Sequence, residues 1–92
     1  MTISIGHVLA TPAVIEHLTR NEFPYLRLVL RHMNGDWGEV ESDDREMNMR
    51  GVRDGDSILS IYGIAETEVC VFTRADRTYT SVLLASEMFC TD

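Results

Sequence analysis

Three histidines (His7, His17, His32), two cysteines (Cys70, Cys90) and fifteen carboxylates are the side chains with most chemistry to offer, and their spacing decides what they can do. No HExxH, CxxC or mixed Cys/His cluster is present, so no metal site is expected. Gly35-x-x-Gly38 lacks the lysine and the following serine or threonine of a phosphate loop, and no nucleotide or other cofactor is expected. Ser60 and Ser81 fall inside strand-like runs, not on a strained turn, and Cys70 reads as a core thiol, which leaves no activated nucleophile. Asp43-Asp44 is a carboxylate pair of the kind used in acid–base catalysis, but adjacent acids opening a helix read as a solvated cap. The reading is a protein that is not an enzyme. A small hydrolase would instead need Asp36, Asn48 and Arg77 to line one deep pocket.

The acids themselves are unevenly placed. Residues 36 to 56 hold eight (Asp36, Glu39, Glu41, Asp43, Asp44, Glu46, Asp54, Asp56) against Arg45, Arg50 and Arg53, so this segment carries −5 of a net −7. Nucleic-acid affinity comes largely from cations that neutralise phosphates, so direct nucleic-acid binding is disfavoured here. A basic protein partner, or a protein surface that normally holds nucleic acid, is favoured. Glu39, Glu41, Asp43, Asp44, Glu46, Asp54 and Asp56 are the candidate contact residues. All eight bases are arginine, a choice that suits bidentate carboxylate pairing and equally follows from a GC-rich genome.

A chain of 92 residues makes one domain (1–92) with a single modest core, 45% hydrophobic and 25% charged as globular proteins are. No apolar run approaches the ~20 residues that span a bilayer. The opening "MTISIGHVLATP" has neither a basic n-region nor a long apolar stretch, which points to a cytoplasmic protein without a membrane partner. Cys70 and Cys90 then read as reduced structural thiols.

The elements that must position these residues follow from periodicity. Residues 3 to 10 alternate as a short strand, with Ile3, Ile5, His7 and Leu9 on one side. Thr11-Pro12 reads as N-cap and first helical residue of a helix to Arg20, with Val14, Ile15 and Leu18 inward. Pro24 opens a second helix with Leu26, Val29, Leu30 and Met33 inward, stopped at Asn34-Gly35. Ser42 or Asp43 can cap a third, surface helix through Met49 or Gly51, its apolar side limited to Met47 and Val52. From Ser57 the period becomes two: "SILSIYGI", "EVCVFTR" and "TYTSVLLA" are three strands with short polar connections. Thr73, Thr78 and Thr80 can pair across strands, and Asp76 can accept from backbone at its turn. Leu83, Leu84, Glu87, Met88 and Phe89 suggest a docked tail.

"HMNGDWGEV" holds the only tryptophan. Gly35 ends the second helix, Asp36 offers a carboxylate to loop N–H groups or to Arg77, Trp37 anchors the loop on the sheet, and Gly38 turns the chain toward the acidic helix.

In order along nearly the whole chain, "VLATPAVIEHL", "RHMNGDWGEV", "DDREMNMRGVRDGDSILSIYG" and "VFTRADRTYTSVLLASE" resemble a family of small proteins of bacterial plasmids and other mobile elements. Its members share ATPxAL, RHxxGDWG, an acidic helix, (R/S)xLSxY and TEADRSxTTxLLPEEY. They are labelled "plasmid-related protein" or "type I restriction endonuclease subunit M". The second label does not carry over, because the chain is too short for a methyltransferase domain and has neither the cofactor glycine loop nor an NPPY-like motif. It departs from the pattern at Arg74, where an acid is usual, and at Ala85-Ser86-Glu87-Met88-Phe89, so no role of the family tail is transferred. The resemblance implies a mobile-element setting and an α+β fold, and carries no activity.

The expectation is an α+β domain: a three-stranded antiparallel meander, with the N-terminal strand as an optional fourth, covered on one face by two or three helices. Its expected role is to bind stoichiometrically and inhibit a host defence complex, a CRISPR effector (anti-CRISPR) or a restriction system (anti-restriction), by occupying a basic nucleic-acid-binding surface. The alternative is a plasmid or phage accessory protein that recognises a plasmid-encoded partner or forms a homodimer through an apolar edge strand.

Overall fold

Gly6 decides how the chain enters its sheet. The computed structural model describes residues 3–88, and at Gly6 φ is +61°, where any Cβ would collide with the carbonyl of Thr78. This turn breaks the alternation expected over residues 3 to 10. The strand β1 is His7–Ala10 alone, with Val8 and Ala10 toward the core while His7 and Leu9 are exposed.

The remaining elements are α1 (Pro12–Arg20), α2 (Tyr25–Met33), α3 (Ser42–Asp54), β2 (Ile58–Ile64), β3 (Thr67–Thr73), β4 (Tyr79–Leu84) and the short α4 (Ala85–Met88). The protein is α+β. β2, β3 and β4 form the antiparallel meander, and β1 adds to it as a fourth strand, parallel to β4, in the order β1-β4-β3-β2. No helix among the described residues is long and apolar enough to cross a membrane.

Thr11 caps α1 as its type and position require, its hydroxyl accepting from the Val14 N–H at 3.2 Å with Pro12 in the first turn. Val14 and Leu18 are buried, whereas Ile15 is exposed, so the inward stripe is narrower than expected. The second helix is rotated relative to its expected face. Leu28, Val29 and His32 are buried and Leu26 and Leu30 are more than half exposed, because a hydrogen-bonded histidine, described below, occupies the inward position. The third helix is capped by neither Ser42 nor Asp43: its N-cap is Glu41, without a side-chain bond. It runs past Gly51 to Asp54 and ends at Gly55, whose φ of +85° is the left-handed conformation. Gly51 lies inside the helix, where an added Cβ would stand 2.7 Å from the Ser57 carbonyl.

Two apolar clusters fill the interior. One joins Val14, Leu18, Leu28 and Val29 of the first two helices to Tyr62, Val69, Val71 and Val82 of the sheet. The other lies under the third helix, with Trp37, Val40 and Ile58 buried and Ile3, Val52 and Ile61 against them. At the far end, the Glu87 carboxylate accepts from the Leu84 N–H and the Thr11 hydroxyl. Phe89, expected in the docked tail, and Cys90 lie outside the described residues. Cys70 is a free, buried thiol.

Among the described residues the outer edge of β2 has no strand beside it, yet the backbone groups of Leu59 and Ile61 there are paired. Asn48, 2% exposed, donates its amide to the Leu59 carbonyl at 2.6 Å and accepts from the Leu59 N–H at 2.9 Å. Replacing Asn48 by alanine strands two backbone groups at once. Because an unpaired buried group costs about 1–3 kcal/mol, Asn48→Ala is expected to lower unfolding stability by about 2 kcal/mol or more, measured as a shifted urea midpoint at unchanged slope.

Candidate functional site

The loop after α2 is fastened at every residue. Asn34 closes the helix and Gly35 takes φ +85°. Asp36 bonds the Arg31 guanidinium at 2.7 and 3.3 Å and accepts from the Gly38 N–H, while its carbonyl accepts the Tyr62 hydroxyl at 2.6 Å. The Arg31 guanidinium, 4.5 Å from the centre of the Tyr62 ring, also stacks on it. This hydrogen bond to Arg31 holds the Asp36 carboxyl below its usual range. Burial pushes the Tyr62 phenol up to about 12.

Trp37, 8% exposed, then sinks into the second cluster, and the chain runs beside β2: Ile61 N–H donates to the Trp37 carbonyl at 3.1 Å and Glu39 N–H donates to the Ile61 carbonyl at 2.6 Å. Gly38 allows this approach, with φ +71° and no room for a Cβ against the Ile61 carbonyl. Trp37 is an anchor, as its setting between glycines suggests. Of the two partners expected for Asp36, the loop N–H is found at Gly38, and Arg77 is not. Arg31 holds Asp36, and Arg77 donates to the carbonyls of Gly51, Asp56 and Arg74 at 2.9, 2.8 and 3.1 Å, bracing α3 against the β3–β4 turn. At that turn Asp76 accepts from the Thr78 N–H and hydroxyl, which lowers its carboxyl pKa.

Asp36, Asn48 and Arg77 therefore do not converge. The groove beside this loop, about 590 Å³, is lined instead by Ile3, Met33, Trp37, Met49 and Val52, together with His32, Asn34, Gly35 and Arg53. Arg53 is itself paired with Asp54 at 3.2 Å.

One constellation went unread in the sequence as a unit. His32 Nδ1 lies 2.6 Å from Ser60 Oγ and Nε2 lies 2.8 Å from Thr73 Oγ1, which lies 2.7 Å from Thr80 Oγ1. The Thr80 hydroxyl donates to the Ile5 carbonyl at 2.8 Å. Counting protons from that end fixes the chain: Thr73 donates to Thr80, the His32 Nε2–H donates to Thr73, and Ser60 donates to a bare Nδ1. His32 is neutral, and all four side chains are buried. Ser60 and His32 have the pairing of a nucleophile and its base, but the serine proton is held inside the core. The signal was present in pieces: Leu28, Val29 and His32 share a helix face, and Ser60, Thr73 and Thr80 share a sheet face.

The seven acids expected to bind a partner are all on the surface, but the fold divides them. Glu41, Asp43 and Asp44 gather at the start of α3, where the helix dipole favours them. Glu46 is 3.6 Å from Arg50, whereas Asp54 is the last residue of the helix and Asp56 lies just beyond it, roughly 18 Å from the start at 1.5 Å per residue. The carboxylate of Glu39 rests over Gly63. Arg31 and Arg77, from outside the segment, also lie against it, so its eight acids face five arginines. Among the described residues, no base is within ion-pair range of Glu39, Glu41, Asp43, Asp44 or Asp56. No group of three potential metal ligands occurs among them either. The chain matches no protein-family model, no curated protein and no solved structure.

Two outcomes follow from this geometry. Burial, reinforced by the charge of Arg77, pushes the His32 imidazole down to about 4 from 6.5. Between those values the unfolded chain binds a proton that the folded chain does not, so stability present at pH 7 is lost as pH falls from 6.5 toward 4. The loss from this residue is about 3 kcal/mol at 1.36 kcal/mol per unit. Urea titrations of the wild type and of His32→Leu should differ in slope against pH in that window. Trp37→Ala should cost about 3 kcal/mol through its cavity in the second cluster, read by thermal unfolding.

Proposed function

We propose that this protein binds another protein stoichiometrically and without catalysis, and that its target is a basic nucleic-acid-binding surface of a host defence complex, of the CRISPR or restriction type. The observation that carries this reading is the set of carboxylates at the start of α3. Glu41 and Asp43 are exposed, Asp44 is half-buried, and among the described residues no arginine, Arg45 included, lies within ion-pair range of them. Held on a helix fixed through Asn48 and Arg77, they present negative charge with little left to order on binding, which favours fast, salt-sensitive association with a cationic surface. The resemblance to mobile-element proteins supplies the setting in which such a surface would be a host target.

A second reading, an accessory protein of plasmid or phage maintenance that recognises a plasmid-encoded partner or itself, is favoured by a different feature. One face of the sheet carries apolar side chains outside both core clusters.

The first reading is tested with tagged protein as bait in a host carrying active defence systems, with mass-spectrometric identification of what it retains. The wild type is expected to retain subunits of a nucleic-acid-binding complex, in amounts that fall as salt rises. The folded E41K/D43K/D44K variant is expected to lose at least about 90% of that capture, as charge reversal at a complementary interface does. Equal capture by the variant overturns the acidic contact.

A further inference from the structure

The two edges of the sheet are treated differently. At β2, Asn48, Trp37 and Glu39 supply partners to the backbone of Leu59 and Ile61. At the other edge lies β1, with β4 on one side and, among the described residues, no strand on the other. The His7 and Thr11 N–H groups donate to the carbonyls of Thr78, just before β4, and Val82, each at 3.1 Å. Alternate residues of a strand turn their backbone groups to alternate sides, so Val8 and Ala10 turn their N–H and C=O groups outward. Among the described residues no backbone hydrogen bond outside the β1–β4 ladder reaches them. Between them Leu9 stands 53% exposed, and His7 is exposed as well.

We propose that a second copy of the chain closes this edge, its β1 pairing antiparallel with the first about a two-fold axis through Leu9, perpendicular to the sheet. The ends of the strand choose that register. Centring on Val8 would set Ala10 opposite Gly6, where φ of +61° bends the chain out of the strand. Centring on Ala10 would set Val8 opposite Pro12, which has no N–H. In the Leu9 register Val8 of each copy meets Ala10 of the other, and four N–H···O bonds use every outward donor and acceptor. The two Leu9 residues form the non-hydrogen-bonded pair on the axis, their Cα atoms about 4.5 Å apart, so that the exposed side chains cover each other. His7 falls opposite Thr11 of the other copy, whose hydroxyl donates to Glu87 Oε1. The Leu84 N–H uses the same oxygen, which leaves Oε2 of this exposed carboxylate to the imidazole. An unrelated extended peptide would also satisfy the backbone groups, but a leucine on the axis and a histidine facing a carboxylate match this surface to itself.

Four main-chain bonds and one leucine pair make an interface smaller than the roughly 1,000 Å² of stable complexes, so the dissociation constant is expected on the order of 100 μM. The inference rests on the second reading above, in its self-recognising form. It is independent of the carboxylates at the start of α3, so its failure leaves the acidic contact untouched.

Sedimentation equilibrium from about 10 μM to 1 mM tests it, with circular dichroism of every variant to establish folding. The wild type is expected to pass from the 10.4 kDa monomer to a dimer over that range, and the Val8 and Ala10 amides should gain about fourfold protection from hydrogen exchange. L9E is expected to raise the dissociation constant at least about tenfold, because it sets two carboxylates on the axis. H7E, beside Glu87, should raise it about threefold, and H7K should not. In a C90S background, L9C should cross-link under oxidised glutathione, since Cα atoms at that separation suit a disulfide. H7C should not, its two copies standing roughly 14 Å apart. A wild type monomeric at 1 mM overturns the second copy as occupant and leaves the edge to a plasmid-encoded partner, as the second reading allows. A dimer indifferent to L9E and without protection at Val8 and Ala10 keeps self-recognition but overturns β1 as its surface. Cross-linking of H7C in place of L9C overturns the register.

Discussion

The buried imidazole of His32 constrains the rest of the molecule. Its two ring nitrogens reach Ser60 on β2 and Thr73 on β3, and through Thr73 and Thr80 the chain of protons ends on the Ile5 carbonyl. A helix carrying such a residue has one rotation at which both nitrogens are satisfied, since each missed bond would leave a polar atom unpaired in the core. At that rotation Leu28 and Val29 enter the core, and Leu26 and Leu30 remain outside. Five elements or segments are thereby held by one neutral ring.

The same rotation aims the residues that follow. Asp36 comes within reach of Arg31, and Trp37 falls beside Ile58 and under the third helix. Because Gly38 tolerates close approach, the loop continues as a substitute strand against Ile61, and Asn48 does the same for Leu59. Edge strands with unpaired groups invite uncontrolled pairing, and here a loop and a helix side chain close that edge. Self-association through β2, one form of the accessory-protein idea, has little backbone to work with. The outer face of the sheet and the start of α3 remain as surfaces unlike the rest.

Those two surfaces differ in what they can recognise. The carboxylates of Glu41, Asp43 and Asp44 are fixed charges at the positive end of a helix dipole, suited to cationic partners. The outer face of the sheet is instead largely apolar, with Leu9, Leu59 and Phe72 in one row, and its Arg74 is paired with Asp76 at 3.8 Å. Charge counted along the chain overstates the first surface, since the fold brings Arg31 and Arg77 to the acidic segment and spreads its acids over both ends of α3.

Much was legible in the sequence because it rests on local chemistry. Thr11-Pro12 begins a helix, Asn34-Gly35 ends one, the period of two after Ser57 gives the meander, and a tryptophan between glycines is an anchor; each depends on residues within a few positions of one another. What only the tertiary structure decided depends on partners far apart in the chain. The inward face of α2 follows from Ser60 and Thr73, 28 and 41 residues away from His32. The short β1 follows from the Thr78 carbonyl against Gly6, the partners of Arg77 from two backbone carbonyls of and beyond α3, and the division of the acids from where α3 stops. Hydrophobic period and cap residues specify elements, but polar atoms buried between elements choose their rotation and register, because they alone lose so much when they miss their partners.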